Sequence, residues 1–454
     1  MFMRRSYFLM LVAMLPGIRL IKVNPCGNSK FVIASVPLVS IVFGSWRKVF
    51  HLFFLVRISA QLNYETDTMA PVILVHGIGG SQIEGRWNTK HAPRICDNKS
   101  DEWKVLWVDI SVPFEPLTLI CWTYRMMLRY DKAARKSMNQ EGVETRIPWE
   151  FGSTKPSKFL TRDAFTQKRS GYFHTTIKEL ERSGYTKGVN LFAAAFDWRY
   201  AQKGLEEFGY FRNVADLIER TASTTKRKVA IVAHSMGGLM MSYFLQKQPQ
   251  EWKDRYIHAF VAVSTPWLGS ILSMELFLIG TDYDLLSLPK KTMKKLGRTF
   301  QSSALLLPEE AAYGDTVLID WVSQGKQYTA KDYQQLFKDA HYETGYLMRE
   351  DVRSLFPVPL DKLGVRVWCL WTNASKVKTL YKYVVNGKLT NPDAYKELFA
   401  EGDGTVPLSS LRYCEKFKDV TVKSFQGPGH TDILAHSPAI FQMLLPCAKA
   451  QPFV

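Results

Sequence analysis

The chain has no Cys-x-x-Cys pair, no Gly-x-x-x-x-Gly-Lys-Ser/Thr loop and no Gly-x-Gly-x-x-Gly turn. The first absence argues against zinc ribbons and thioredoxin-type exchange, the other two against a phosphate-cradling nucleotide site. No recognisable nucleic-acid module accompanies the basic balance, so nucleic acid is not expected as a partner. The first 60 residues lack any acidic side chain, and their eight basic ones account for eight of the +17 formal charges, leaving +9 for the rest. That residual charge suits an anionic lipid surface. The apolar runs of this leader, Tyr7–Ile18, Phe31–Trp46 and Val49–Val56, each fall short of the roughly 20 residues of a comfortable membrane span. Residues 1–60 are therefore expected to be a targeting, signal or anchor segment, with the signal best placed between Arg47-Lys48 and the small-residue ending Ile58-Ser59-Ala60.

Cysteine is sparse but present. Cys26, Cys96, Cys121, Cys369, Cys414 and Cys447 fit an oxidising compartment. The sequons at Asn98 and Asn373 are candidate glycan sites on an exported chain. The localisation expected is the secretory pathway, ending in the lysosome or outside the cell.

The organising stretch is Lys228-Val-Ala-Ile-Val-Ala-His-Ser-Met-Gly-Gly-Leu239. Five apolar, β-leaning residues run into a turn with Ser235 at its apex, and a helical pattern follows until Pro249. Strand, tight turn and helix with a serine at the turn make a nucleophile elbow, the signature of the α/β-hydrolases. Ala233, Gly237 and Gly238 leave room for strand and helix to meet. A serine here could merely cap the helix, but the strand before it and the helix behind it favour a nucleophile.

Folding proper is expected from about residue 70, where Pro71-Val-Ile-Leu-Val75 reads as a buried strand ending in His76-Gly-Ile-Gly-Gly-Ser81. A glycine turn after an early strand is where this fold places one oxyanion donor. The backbone N–H groups of Ile78 and Met236 are the candidate oxyanion pair. Strands and helices then alternate: a helix over 171–183, a strand over Val189–Phe196, one amphipathic helix over Leu205–Thr221, the nucleophile strand, and Ala259–Ser264. Val365–Trp371 and Val420–Phe425 resume the strand pattern. The fold class expected is α/β, an α/β-hydrolase with a mostly parallel central sheet, its catalytic domain spanning 70–450.

Two insertions interrupt it. Within 91–135, Trp107, Phe114, Leu117, Leu119, Ile120 and Trp122 lie beside basic residues and are candidate membrane-binding side chains; the alternative is that about half of this patch is core. Residues 270–360 lose the βα rhythm and read as a cap and lid.

A serine nucleophile needs a histidine to take its proton and a carboxylate to hold that histidine's tautomer. In this fold the order is serine, acid, histidine. His430, in the loop Gln426-Gly-Pro-Gly-His430 after the last strand, is the candidate base, ahead of His341 and His436. Asp403, flanked by glycines in Glu401-Gly-Asp-Gly-Thr-Val-Pro407, is the candidate acid; Asp432 follows the histidine and fits less well.

Ala233-His-Ser-Met-Gly237, Phe196-Asp-Trp-Arg199, Phe244–Gln250, Trp252–Ile257, Pro266-Trp267, Gly345–Arg349, Gly402–Val406 and Gly429-His430 occur in order over residues 70–445. This series of blocks resembles the lecithin–cholesterol acyltransferase family. The resemblance places Ser235, Asp403 and His430 on the family's triad and Ile78 and Met236 on its oxyanion positions. It implies disulfides Cys96–Cys121 and Cys369–Cys414, leaving Cys26 and Cys447 without family partners. It further implies a calcium-independent, metal-free and cofactor-free enzyme, expected as a monomer on a phospholipid membrane or lipoprotein surface. Such an enzyme takes a fatty acyl group from a glycerophospholipid onto serine and hands it to water or a lipid alcohol such as ceramide or a sterol. A neutral-lipid lipase and a silent lipid-binding protein are the alternatives. Ile78 departs from the acidic side chain that one member of the family carries there, and the long leader has no counterpart in the family.

Overall fold

The computed structural model describes residues 20–23, 30–33, 69–112, 115–163, 165–281 and 288–444. The chain divides into two units, Met1–Asn63 and Tyr64–Val454. Of the first, two short strands are described, Leu20–Val23 paired antiparallel with Lys30–Ile33. The remainder of the expected targeting segment, Cys26, Phe114 and Cys447 lie outside the described residues. Among the described residues no helix is long and apolar enough to cross a membrane.

The second unit is built on six strands: β1 (Val72–Val75), β2 (Leu191–Ala193), β3 (Val229–His234), β4 (Ile257–Val263), β5 (Val367–Ala374) and β6 (Val420–Gly427). They lie in the spatial order β6-β5-β4-β3-β1-β2, and every neighbouring pair is parallel. A parallel sheet is covered on both faces, which is why β1 and β3 are unbroken apolar runs rather than alternating ones. The period-2 pleat still sorts their side chains. Ile73, Val75, Ile231, Ala233 and Phe260 enter one core, while Val72, Leu74, Ala230, Val232 and Val261 enter the other. The smaller core is closed by α2 (His174–Arg182) through Ile177 and Leu180, and by Phe173 just before it. The larger is closed by α3 (Tyr210–Thr225) through Val214, Leu217 and Ile218, and by α4 (Met236–Lys247). Each such aliphatic side chain contributes roughly 1.5–3 kcal/mol on full burial.

The single helix expected over Leu205–Thr221 is two, Gln202–Glu207 and α3. Gly209 between them sits at φ 74°, a conformation in which glycine stops one helix and starts the next at a new angle.

Between β1 and β2 the chain leaves the sheet. Ile83–Asn88 pairs antiparallel with Lys99–Trp107 and Val143–Arg146, a hairpin joins Leu128–Asp131 to Lys136–Asn139, and α1 (Pro116–Met126) lies between them. The Cys96–Cys121 disulfide ties α1 to the loop between Ile83–Asn88 and Lys99–Trp107. Cys369 of β5 is bonded to Cys414. Loops of 25 and 45 residues are closed, worth about 3.5 and 4 kcal/mol respectively on a chain-entropy reckoning. The fully buried Arg199 guanidinium anchors the insertion to the domain, donating to Met126 O at 3.0 Å, Asn139 Oδ1 at 2.9 Å and Thr145 Oγ1 at 2.9 Å while paired with Asp197.

The insertion corrects two sequence expectations. Trp107 and Trp122, expected to face a membrane, are 2% and 3% exposed. Their indoles donate to Gly79 O at 2.9 Å and Leu106 O at 2.5 Å. A tryptophan whose one polar atom is satisfied by a buried carbonyl is core; Trp107 thereby supports the glycine loop after β1, and Trp122 the strand that carries Trp107. Leu119 is half-buried against that core, whereas Leu117 and Ile120 are exposed, together with Ile95 beside the disulfide.

The described part of 270–360 holds the helices Leu272–Leu278, Lys290–Gly297, Gln301–Leu305, Tyr333–Asp339 and Glu343–Val352, which pack against one another, and two strands of a separate four-stranded sheet. That sheet pairs Ile319–Trp321 and Lys326–Tyr328 with Thr379–Val385 and Tyr395–Ala400, drawing in the stretch between β5 and β6.

Candidate active site

The site forms at the carboxyl ends of β3, β5 and β6. Ser235 follows β3 directly and precedes α4, with φ 56° and ψ −131°. A non-glycine residue in such a conformation costs of order 1–3 kcal/mol and persists only where the surrounding structure enforces it. Here the Ser235 N–H is held by Val263 O at 2.8 Å and its carbonyl by Gly238 N at 2.9 Å. Gly237 leaves no room for a side chain, since an added Cβ would lie 2.4 Å from His76 O. The elbow and the glycine loop after β1 are thus in direct backbone contact.

His430 Nε2 lies 2.9 Å from Ser235 Oγ, and His430 Nδ1 lies 2.6 Å from Asp403 Oδ2. The other carboxylate oxygen, Oδ1, accepts from the N–H groups of Thr405 at 3.0 Å and Val406 at 2.7 Å. Asp403 is 1% exposed. The loops are also held through the main chain, His430 N donating to Asp403 O at 2.8 Å. The three side chains come from positions 235, 403 and 430 and form one hydrogen-bonded line. Asp432 stands outside it: its carboxylate accepts from Gly429 N at 3.2 Å and so shapes the loop of His430.

The glycine loop lies against the serine. A Cβ added to Gly77 would lie 2.5 Å from Ser235 Cβ and 2.9 Å from its Oγ, so only a bare backbone fits there. Ile78 follows immediately. Met236 is the first residue of α4, so its N–H has no carbonyl one turn back and is open to an acceptor. Two N–H groups beside an activated serine can hold a developing oxyanion.

Two histidines flank this line and neither titrates like a free imidazole. His76 donates from Nδ1 to Gly77 O at 2.7 Å and accepts from Phe196 N at Nε2, 3.1 Å away. Its ring stacks on Phe196 at 4.3 Å. Burial lowers its pKa from 6.5 to about 4, against the opposing pull of the Gly77 carbonyl and Asp197. His234 is held well below 6.5 by burial, reinforced by the charge His430 can carry.

The His76 shift has a stability consequence. Below pH 6.5 the unfolded histidine takes up a proton that the folded one refuses until about pH 4. Stability is therefore full above pH 6.5 and falls through that window, with a slope approaching about 1.4 kcal/mol per pH unit from this group. His76→Asn keeps a donor at the Nδ1 position and does not titrate. Urea unfolding at pH 7 and pH 4.5 is expected to show a smaller acid loss for the variant than for the wild type; equal losses would mean that His76 takes no part.

Sequence reasoning selected positions 235, 403 and 430, which the structure brings together. His234 neighbours the candidate nucleophile in sequence, where the elbow turns adjacent side chains apart. Its ring reaches the His430 main chain, with Nε2 2.9 Å from His430 O. Sequence reasoning passed over Tyr172, whose hydroxyl lies 2.6 Å from His234 Nδ1; no local pattern marks that tyrosine. The two sequon asparagines differ in setting. Asn98 is exposed, whereas Asn373 is half-buried and accepts from Gly402 N at 3.2 Å.

Residues 103–361 match the family described as "Lecithin:cholesterol acyltransferase". The "Lysosomal phospholipase A and acyltransferase" of mouse is 30% identical over 394 residues, covering 85% of this chain and 92% of that protein. The human "Phosphatidylcholine-sterol acyltransferase" is 32% identical over 346 residues, 76% of each chain.

Proposed function

The chain belongs to the lecithin:cholesterol acyltransferase family, and from that premise we propose that Ser235, His430 and Asp403 are the triad of a calcium-independent phospholipase and acyltransferase. The observation that supports this most directly is the unbroken line from Asp403 Oδ2 through His430 to Ser235 Oγ. In the first half-reaction Ser235 Oγ attacks the ester carbonyl of a glycerophospholipid as His430 Nε2 removes its proton. The carbonyl oxygen gains the charge and is met by the N–H groups of Ile78 and Met236. Collapse breaks the bond to the glycerol oxygen, which takes the proton from His430 and leaves as lysophospholipid. In the second half His430 deprotonates water or a lipid alcohol, which attacks the acyl-serine and restores the Ser235 hydroxyl. Phospholipid analogues would then yield free fatty acid, acylated alcohol or both.

Radiolabelled phosphatidylcholine vesicles containing short-chain ceramide or cholesterol, assayed without calcium from pH 4 to 8, separate the outcomes. Acylceramide or cholesteryl ester names the acceptor, and free fatty acid alone makes water the acceptor. Release from triglyceride emulsions with none from phospholipid would replace this reading with a neutral-lipid lipase.

The insertion supplies the contact with lipid. Ile95, Leu117 and Ile120 are exposed around the Cys96–Cys121 bond, and a compact group of exposed aliphatic side chains suits partition into the boundary of a bilayer. Each side chain buried in lipid is worth roughly 1.5–3 kcal/mol. The double variant Leu117→Asp, Ile120→Asp is therefore expected to lose at least about tenfold in activity on vesicles and none on a water-soluble short-chain ester. Equal loss on both substrates would mean that α1 supports the site rather than docking on lipid. The two disulfides fit folding in the secretory pathway, and we place the working protein in the lysosome or outside the cell.

A further inference from the structure

Two side chains that no step of the proposed reaction uses join the glycine loop to the loop of the base. Gly77 N donates to the Tyr172 hydroxyl oxygen at 2.8 Å. That oxygen lies 2.6 Å from His234 Nδ1, and His234 Nε2 lies 2.9 Å from the carbonyl of His430. Donor and acceptor logic fixes each proton. The His430 carbonyl can only accept, so His234 Nε2 carries hydrogen. The ring is buried and held neutral, so Nδ1 is bare and must accept, which makes Tyr172 the donor to it. Tyr172 in turn accepts from Gly77, so every polar contact in the chain has one donor and one acceptor.

The chain holds main-chain groups on both sides of the serine. Gly77 is gripped at its N–H by Tyr172 and at its carbonyl by His76, and it precedes the oxyanion candidate Ile78. The His430 main chain is gripped at its carbonyl by His234 and at its N–H by Asp403. The main-chain groups of Gly77 and His430 are thereby referred to one strut. Tyr172 is placed for this by the backbone pairing of Tyr172 N with Lys158 O at 3.1 Å and Phe173 N with Ser157 O at 3.0 Å. Its ring also packs edge-on to His76, His234 and Phe173.

We propose that Tyr172 and His234 are positioning residues that couple the oxyanion loop to the general base. They set the distance from His430 Nε2 to Ser235 and the aim of the Ile78 N–H without exchanging a proton with substrate. The inference rests on the triad and oxyanion assignments above and names the device that aligns them. Because reacting groups must be held to a fraction of an ångström, loosening one end of the strut acts on turnover rather than on substrate affinity.

The test measures turnover per active site, counted with a fluorophosphonate, on a water-soluble ester and on phosphatidylcholine vesicles. Tyr172→Phe removes one hydroxyl and keeps the ring, and is expected to lower kcat by roughly 10- to 100-fold with little change in KM. His234→Gln, whose amide nitrogen can reach the place of Nε2, is expected to retain more activity than His234→Ala. The two sites belong to one chain, so adding Tyr172→Phe to His234→Ala is expected to cost little more than His234→Ala alone. If His234→Ala fails to fold, Tyr172→Phe and His234→Gln carry the test. Wild-type kcat in folded Tyr172→Phe, or full additivity of the two changes, overturns the proposal. Activity remaining in Ser235→Ala would instead overturn the triad reading, so the two failures are told apart.

Discussion

Replacing Ser235 with alanine is expected to lower the release of fatty acid from phospholipid vesicles by about 10³- to 10⁶-fold, with vesicle binding at its wild-type level. The size follows from the chemistry: without Oγ no acyl-enzyme forms, and the residual rate is that of water attacking a carbonyl held near the candidate oxyanion donors. The change removes one atom from a residue that is 5% exposed. The backbone bonds that hold the turn, Ser235 N to Val263 O and Gly238 N to Ser235 O, do not involve the side chain. Alanine inherits the strained φ of 56° without relieving it, so the fold is expected to survive. Acyl transfer and hydrolysis should disappear together, since both pass through the same intermediate. A Ser235→Ala protein that kept hydrolysis would require a second nucleophile and defeat the acyl-serine mechanism. Equal loss of activity and vesicle binding would make the serine structural.

The second large effect is expected from Asp403→Asn, a loss of about 10⁴-fold in kcat without loss of the folded protein. Asp403 accepts three hydrogen bonds, one from His430 Nδ1 and two from the N–H groups of Thr405 and Val406. An asparagine in the same rotamer has one oxygen and one donor for these three donors. If its oxygen keeps the two backbone bonds, the amide NH₂ faces His430 Nδ1 and forces the proton to Nε2. The base then points a hydrogen at Ser235 and cannot accept one. If the amide flips, its NH₂ confronts two N–H groups in a site from which water is excluded. The first arrangement keeps more hydrogen bonds, so the expected result is a folded protein with the wrong tautomer. Fluorophosphonate labelling of Ser235 should slow in parallel with turnover, because both need the same proton removed. Normal labelling with slow turnover would place the role of Asp403 elsewhere.

How much of this was legible beforehand depended on whether the determinant is local. The elbow is local: Val229–Ala233 must be buried on both faces, Gly237 must admit the backbone of the preceding strand's neighbour, and the serine between them has one place to go. Short-range pattern therefore marks the candidate nucleophile, and chain order in this fold then singles out a candidate histidine and acid downstream. Asp403 was harder, since an Asp-Gly turn is common, and its special status comes from Thr405, Val406 and His430 converging on one carboxylate. The blocks that resemble the family carried the disulfide pairs, which spacing leaves open.

Side-chain direction was the part that composition could not supply. Trp107 and Trp122 share a segment with Leu117 and Ile120, and an aromatic and aliphatic stretch near basic residues reads the same whichever of them faces out. The antiparallel pairing of Lys99–Trp107 with Ile83–Asn88 and the Leu106 and Gly79 carbonyls turned both indoles inward, leaving the two aliphatic residues of α1 exposed. The Gly209 break in the expected helix was legible in principle, because glycine ends helices, but amphipathic spacing runs through it and concealed the change of angle.

The sequence by itself determined the hydrolase fold, the candidate nucleophile and the chain order of its candidate partners, because these follow from short-range periodicity, turn chemistry and the fixed topology of a parallel sheet. Only the tertiary structure decided which apolar side chains remain for a lipid surface, and that Tyr172, His234 and Gly77 form one strut. Those groups are separated by 62 residues at one joint and 95 at the other, and a hydrogen bond across such a gap depends on where β1, β3 and the loop before α2 come to rest, which no local pattern encodes.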